Sequence, residues 1–191
     1  MMGLPIDRLS ESETVQRAMV GVRLGRGGWI CPTNLDVLRQ VVISPELRAL
    51  VEDADLVVAD GMPLLWASRV QGAALPERVA GSSLIHTLSH AAARNGASVF
   101  LLGGDPGVAE RAAARLRDDI DGLTVCGTHC PPVGFEREPG LVAGIEAALR
   151  TARPDVVYVA LGWVAVAAFP DLIDELGVTG TALVVAGGLL Y

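Results

Sequence analysis

Lysine is missing from this chain: all 15 basic residues are arginine. That excludes a phosphate-loop lysine, a Schiff-base lysine and a lysine general base. A GC-rich coding sequence accounts for the bias without any functional meaning. Cysteine is scarce, and Cys31, Cys126 and Cys130 are too few and odd in number for a disulfide scaffold. Aromatic residues make up only 4% of a chain that is 51% hydrophobic, so Ala, Val and Leu supply the apolarity. No apolar run reaches the roughly 18 residues needed to span a bilayer. The N-terminus lacks a basic region followed by an apolar stretch, the mark of a signal peptide. The expectation is a cytoplasmic protein. Positive charge is also in deficit. The net charge of −7 argues against a nucleic-acid partner.

What is present is an alternation of short apolar strands with Ala/Leu/Arg helices. The 191 residues fit one domain with a sizeable core, so 1–191 is read as a single domain. Strands are predicted at Gly28–Cys31, Asp55–Ala59, Ser98–Leu102, Leu123–Gly127, Val156–Leu161 and Ala182–Ala186. Helices are predicted at Asn34–Val42, from Pro63 to Val70, and at Ser82–Asn95, Gly107–Asp118 and Gly140–Ala152. Strands alternating with helices mean a Rossmann-like α/β fold, a mostly parallel sheet with helices on both faces. Thr128–Pro139 (THCPPVGFEREP) is the one loop-like stretch, a candidate mobile loop. No internal repeat is visible.

The segment from Ala59 to Ser83 carries the most chemistry. A strand that stops at Asp60-Gly61 puts a carboxylate at its C-terminal end, where α/β sheets place their ligands. Asp60 is then either a turn residue before glycine or a general base whose pKa is raised in an apolar crevice. Arg78, in ERVAGSS, is a cation beside a small-residue turn, suited to a phosphate. A base and an anion clamp together point to a transferase acting on a phosphorylated donor. Ser98–Ala112 (SVFLLGGDPGVAERA) reads strand, glycine turn, helix start. Gly103, Gly104 and Gly107 there either aim backbone N–H groups at a phosphate or simply satisfy a tight turn. Thr33 and Asn34 follow a strand and precede a helix, a place for capping or for a ligand contact. Ser82 or Ser83 is the expected cap of its helix. His86 and His90 have the i, i+4 spacing of a metal pair, and Cys126, His129 and Cys130 form a CxxHC cluster. Neither has a full ligand set, so no metal is expected. Trp29, Trp66 and Trp163 read as core or pocket-wall residues.

These pieces, in this order, resemble the bacterial WecG/TagA/CpsF glycosyltransferase family. The matching landmarks are GLPID, GGWICPTNLDVLR, ADGMPLLWASR, ERVAGSSL, VFLLGGDPGVAE and RPDVVYVALG. The resemblance implies a Rossmann-like fold and transfer of an N-acetylhexosamine, best known as N-acetylmannosamine, from a UDP-sugar donor. The acceptor it implies is a polyprenyl-diphosphate-linked sugar at the membrane surface, so the protein would be peripheral at the inner face of the cell membrane. It also implies inversion at the anomeric centre, no cofactor and no metal. The family's base maps onto Asp60, beside Gly61; its T-x-N asparagine onto Asn34; its RV-x-G segment onto Arg78, Val79 and Gly81.

The sequence departs from the family pattern in three places. Pro32 stands where the family has Thr, Ser83 stands where it often has an acid, and LGWVAVAAFPD replaces an LG-x-PKQE-like run. The family's basic C-terminal appendage is not in these 191 residues. The departures predict a truncated or degenerate member that is weakly active, self-associating or membrane-clinging through Trp163–Asp171. The rival readings are a catalytically impaired relative that binds a nucleotide sugar or a partner chain, and a nicotinamide-binding domain. The last lacks a GxGxxG turn and its acidic partner.

Overall fold

The strand runs LVVA and VVYVA are apolar throughout and stay out of water only if both faces are covered. The structure is a computed structural model that describes residues 1–160 and 183–186. Helices α1 (Glu11–Arg23), α2 (Leu35–Ile43), α3 (Pro45–Glu52), α4 (Met62–Val70), α5 (Gly81–Arg94), α6 (Val108–Asp119) and α7 (Pro139–Ala152) surround one sheet. Its strands are β1 (Gly28–Thr33), β2 (Leu56–Ala59), β3 (Ser98–Gly103), β4 (Thr124–His129), β5 (Val156–Ala160) and β6 (Leu183–Ala186). Among the described residues the order is β2-β1-β6-β5-β3-β4, and every neighbouring pair is parallel. The expected Rossmann-like α/β fold is the one found.

Strand alternation sorts the core into two layers. Trp29, Cys31, Val57, Ala59, Phe100, Leu102, Val157 and Val159 point to one face. There they meet Val37, Leu38 and Val41 of α2, Leu64 and Leu65 of α4, and Ile145 and Leu149 of α7. Ile30, Val58, Val99, Leu101, Val156 and Tyr158 point to the other. Their partners are Met19 of α1, Leu84 and Leu88 of α5, and Ala113 and Leu116 of α6.

Two aspartates fix strand starts. Asp55 accepts from the Trp29 amide at 2.9 Å and Asp155 from the Ser98 amide at 2.7 Å, so each carboxylate ties the start of its own strand to the neighbouring one. The Asp55 carboxylate leaves no room for a side chain at residue 28, where a Cβ would lie 2.5 Å from its oxygen. The outer edge of β2 is also closed. The Asp7 amide donates to the Val57 carbonyl (2.7 Å), the Asp7 carboxylate accepts from the Val57 amide (2.8 Å), and the Val79 amide donates to the Ala59 carbonyl (2.8 Å). Satisfying that row of edge groups removes a site for pairing with another chain. This gives the GLPID stretch a structural task.

Several expectations need correction. Helices α1 and α3 were not anticipated, although both carry N-terminal signals. Ser10 and Glu13 form a capping box, and Ser44 caps α3 ahead of Pro45. The expected mobile loop at 128–139 is not plain loop: β4 runs to His129, and Phe135 is buried in the core. Helix α5 begins at Gly81, and neither Ser82 nor Ser83 is its N-cap. Of the tryptophans, Trp29 is core but Trp66 is 57% exposed. Leu161, Ala182 and Trp163–Asp171 lie outside the described residues.

Candidate active site

The carboxyl ends of the strands share one edge, and the chain's polar turns gather there. β1 ends at Thr33, followed by Asn34; β2 ends at Ala59, followed by Asp60 and Gly61; β3 ends at Gly103. The helices that follow β1 and β3 go to opposite faces: α2 packs on the Trp29 side and α6 on the Ile30 side. Open α/β sheets place their ligands outside the carboxyl edge at such a reversal.

Asp60 is held from three directions. Its amide donates to the Thr33 carbonyl at 2.8 Å, which fixes it beside the end of β1. Gly61 turns the chain with φ +151°, a conformation L side chains rarely adopt, and α4 starts at the next residue. The Asp60 carboxylate accepts from the Gly81 amide at 3.3 Å. Ala80, the N-cap of α5, has no capping oxygen, so Asp60 supplies one from another part of the chain. Burial pushes the Asp60 carboxyl above the usual carboxylate range, against the opposing pull of the Gly81 amide and the Arg78 charge. The result is a half-buried carboxylate at the carboxyl edge of the sheet, with an exposed guanidinium close enough to act on it. That arrangement can accept a proton from a hydroxyl while a cation faces an anionic group.

The other residues of this cluster divide by role. Asn34 accepts from the Asp36 and Val37 amides, both at 3.0 Å, and so caps α2. Thr33 is fully buried with its hydroxyl donating to the Cys31 carbonyl at 3.3 Å, so Asn34 is the member of the pair at the edge. Val79 is buried in the core and holds the Arg78 segment to β2. Gly81 gives its amide to Asp60.

The glycine turn is built as a turn but stands apart. Gly103, Gly104 and Gly107 all have positive φ. The Gly104 amide donates to the Ala160 carbonyl at 3.0 Å, and the Cys130 thiol donates to the Gly104 carbonyl at 2.9 Å. Gly107 has no side chain to cap α6, so its first turn opens at the carboxyl edge. At a strand spacing of about 4.8 Å, β3 lies about 14 Å from β1 and about 19 Å from β2. One phosphate therefore cannot touch both Arg78 and this turn.

Sequence reasoning passed over two features here. Arg111 sits against the glycine turn, its guanidinium 3.0 Å from where a Gly107 Cβ would be; a cation one turn into the helix was the available signal. Glu11 accepts from the Ser83 hydroxyl at 2.6 Å, so a carboxylate from α1 stands beside the first turn of α5.

The alternative sites fare differently. His86 and His90 are exposed on α5. Cys126 donates to the Val99 carbonyl and Cys130 to Gly104, so the two thiols serve different backbones. Among the described residues no three His, Cys, Asp or Glu side chains converge as a metal site. A hollow of about 330 Å³ opens at the opposite, amino edge of the sheet, between α1 and the starts of β1 and β2. Among the described residues that line it, the one carboxylate, Asp55, is spent on the Trp29 amide, and none is a nucleophile or a free base.

The sequence profile of the "Glycosyl transferase WecG/TagA/CpsF family" matches residues 1–165. The chain belongs to the WecG/TagA/CpsF glycosyl transferase family. It is 26% identical over 138 residues to the N-acetylglucosaminyldiphosphoundecaprenol N-acetyl-beta-D-mannosaminyltransferase of Bacillus spizizenii, an alignment covering 72% of this chain and 51% of that protein. The chain thus spans about half the length of the curated relative it matches. Among the described residues no helix is long and apolar enough to cross a membrane.

Proposed function

We propose that this family member transfers an N-acetylhexosamine, N-acetylmannosamine-like, from a UDP-sugar to a polyprenyl-diphosphate-linked sugar, a step in making cell-surface polysaccharide, at the inner face of the cell membrane. The single observation that supports it best is Asp60: a half-buried carboxylate at a strand end, its pKa raised, with Arg78 beside it. The family and the acceptor named for the Bacillus protein support the reaction class.

In this reading Asp60 takes the proton of the acceptor hydroxyl as its oxygen attacks the anomeric carbon. The bond to UDP breaks on the opposite side, so the anomeric centre inverts. The reading assigns the charge developing on the diphosphate to Arg78 and to backbone amides, not to a metal ion. The donor lies along the carboxyl edge, its sugar end near Asp60 and Asn34. Its nucleoside end reaches toward Gly103–Gly107 and Arg111, which accommodates the separation of the two clusters. The replacement of a PKQE-like run by Trp163–Ala168 favours a second reading, a catalytically impaired relative that binds a nucleotide sugar or partner chain.

UDP release from several UDP-sugars, with a lipid-linked acceptor in vesicles, tests the choice. Acceptor-dependent release that Asp60→Asn lowers roughly 10²-fold or more is expected; UDP-sugar binding without release would leave the impaired-relative reading standing.

A further inference from the structure

Helix α4 starts two residues after Asp60 and carries an apolar stripe on its outer side. Met62 (43% exposed), Trp66 (57%) and Val70 (89%) recur at every fourth position. At 100° per residue, these three and the exposed Arg69 fall within an arc of about 100°. Leu64, Leu65 and Ser68 fill the opposite, buried side. Leu35, the first residue of α2, adds another exposed apolar side chain next to Asn34. A hydrophobic stripe facing water beside the candidate base calls for an occupant.

Charge selects that occupant. The chain carries −7 overall, yet Met62–Val70 contains no acidic residue, and Arg69 stands within the apolar arc. Trp, Met and Val flanked by arginine on one helix face is the chemistry of a segment lying in an anionic bilayer interface, where the indole and the guanidinium both find partners. We propose that the outer face of α4 docks this protein on an anionic lipid surface. The docking brings Asp60 level with the headgroups, where a lipid-linked sugar is presented. The orientation rests on the glycosyl-transfer reading above; the docking itself rests on the stripe.

The test is co-sedimentation of the full 191-residue chain with phosphatidylglycerol/phosphatidylcholine vesicles and with pure phosphatidylcholine vesicles. Four forms are compared: wild type, Met62→Ser/Trp66→Ser/Val70→Ser, Arg69→Gln, and Val42→Ser/Ile43→Ser, which removes an exposed apolar pair from the far end of α2. Circular dichroism establishes that each is folded. The expected result is binding to the anionic vesicles that falls roughly tenfold or more in the α4 variant and is unchanged in the α2 variant. Arg69→Gln should weaken it by a smaller factor that shrinks as salt rises. Equal binding by wild type and the α4 variant would overturn the proposal. So would equal loss in the α2 variant, or a wild-type oligomer that the α4 substitutions dissociate without lipid. Transfer to a water-soluble acceptor separates the two readings: failure there with vesicle binding intact removes the enzyme reading and leaves the docking surface.

Discussion

Asp60 serves two ends at once, as cap of α5 and as candidate base, and substitutions can separate them. Asparagine keeps an oxygen for the Gly81 amide but cannot take a proton. Asp60→Asn is expected to fold normally and to lower transfer roughly 10²-fold or more. Because burial raises the Asp60 pKa, the acid limb of kcat/KM should lie above the ordinary carboxylate range, and Asn should abolish it. The stability effect has the opposite sign to a salt-bridged acid. A raised folded-state pKa favours folding below the unfolded value and is lost as pH rises through the folded one. Asp60→Asn should therefore be no less stable than wild type at neutral pH in urea melts, and a large loss there would mean the carboxylate charge is needed for the fold. Arg78→Gln removes a charge that pulls the Asp60 pKa down. The limb should move to still higher pH, and KM for the donor should rise about tenfold, the loss of one charged contact. An unmoved limb would show that Arg78 does not face Asp60.

At the scale of elements, β4 shows how one residue sets a strand. Val125 pairs with Val99 but Gly127 with Phe100, so Cys126 is the extra residue of a bulge, its thiol turned to the Val99 carbonyl. The Phe100 ring occupies the space over Gly127, where a Cβ would lie 2.5 Å from a ring carbon. Gly127→Ala must displace a buried aromatic ring or the bulge, and a loss of about 1–3 kcal/mol is expected in chemical denaturation. A neutral result would mean that β4 slides freely on β3. Helix α5 is tied to the sheet in a comparable way by the Ser89–Tyr158 hydroxyl pair at 2.8 Å, in surroundings that push the phenol pKa up by burial. These ties leave the N-terminus of α5 in a fixed place, so Asp60 meets Gly81.

At the scale of the whole molecule, the two edges of the sheet differ in what they carry. The carboxyl edge holds Asn34, Asp60, Arg78, the glycine turn and Arg111. The amino edge holds the Asp55 and Asp155 strand ties and the hollow under α1. Titration with a UDP-sugar should shift backbone amide resonances at Gly104–Arg111 and around Asp60–Gly61 together. Amides lining the amino-edge hollow, such as Gly21 and Gly27, should stay still. Shifts confined to the amino edge would move the donor site to the other side of the sheet.

The sequence by itself determined the class of fold. Apolar runs such as LVVA and VVYVA are buried on both faces only in a parallel sheet between helices, and local periodicity carries that information. Most strand and helix positions, the polar strand ends and Asp60 as a candidate base were legible for the same reason. Strand order was not, because pairing joins residues distant in the chain. Only the tertiary structure parted the glycine turn from Arg78, since β2, β1, β6 and β5 lie between them in space but not in any local pattern. It also decided that α5 is capped by Asp60 and not by its own serines. And it decided that Trp66 faces outward: the spacing of Met62, Trp66 and Val70 shows a common face, but only packing against the sheet says which face is left to water.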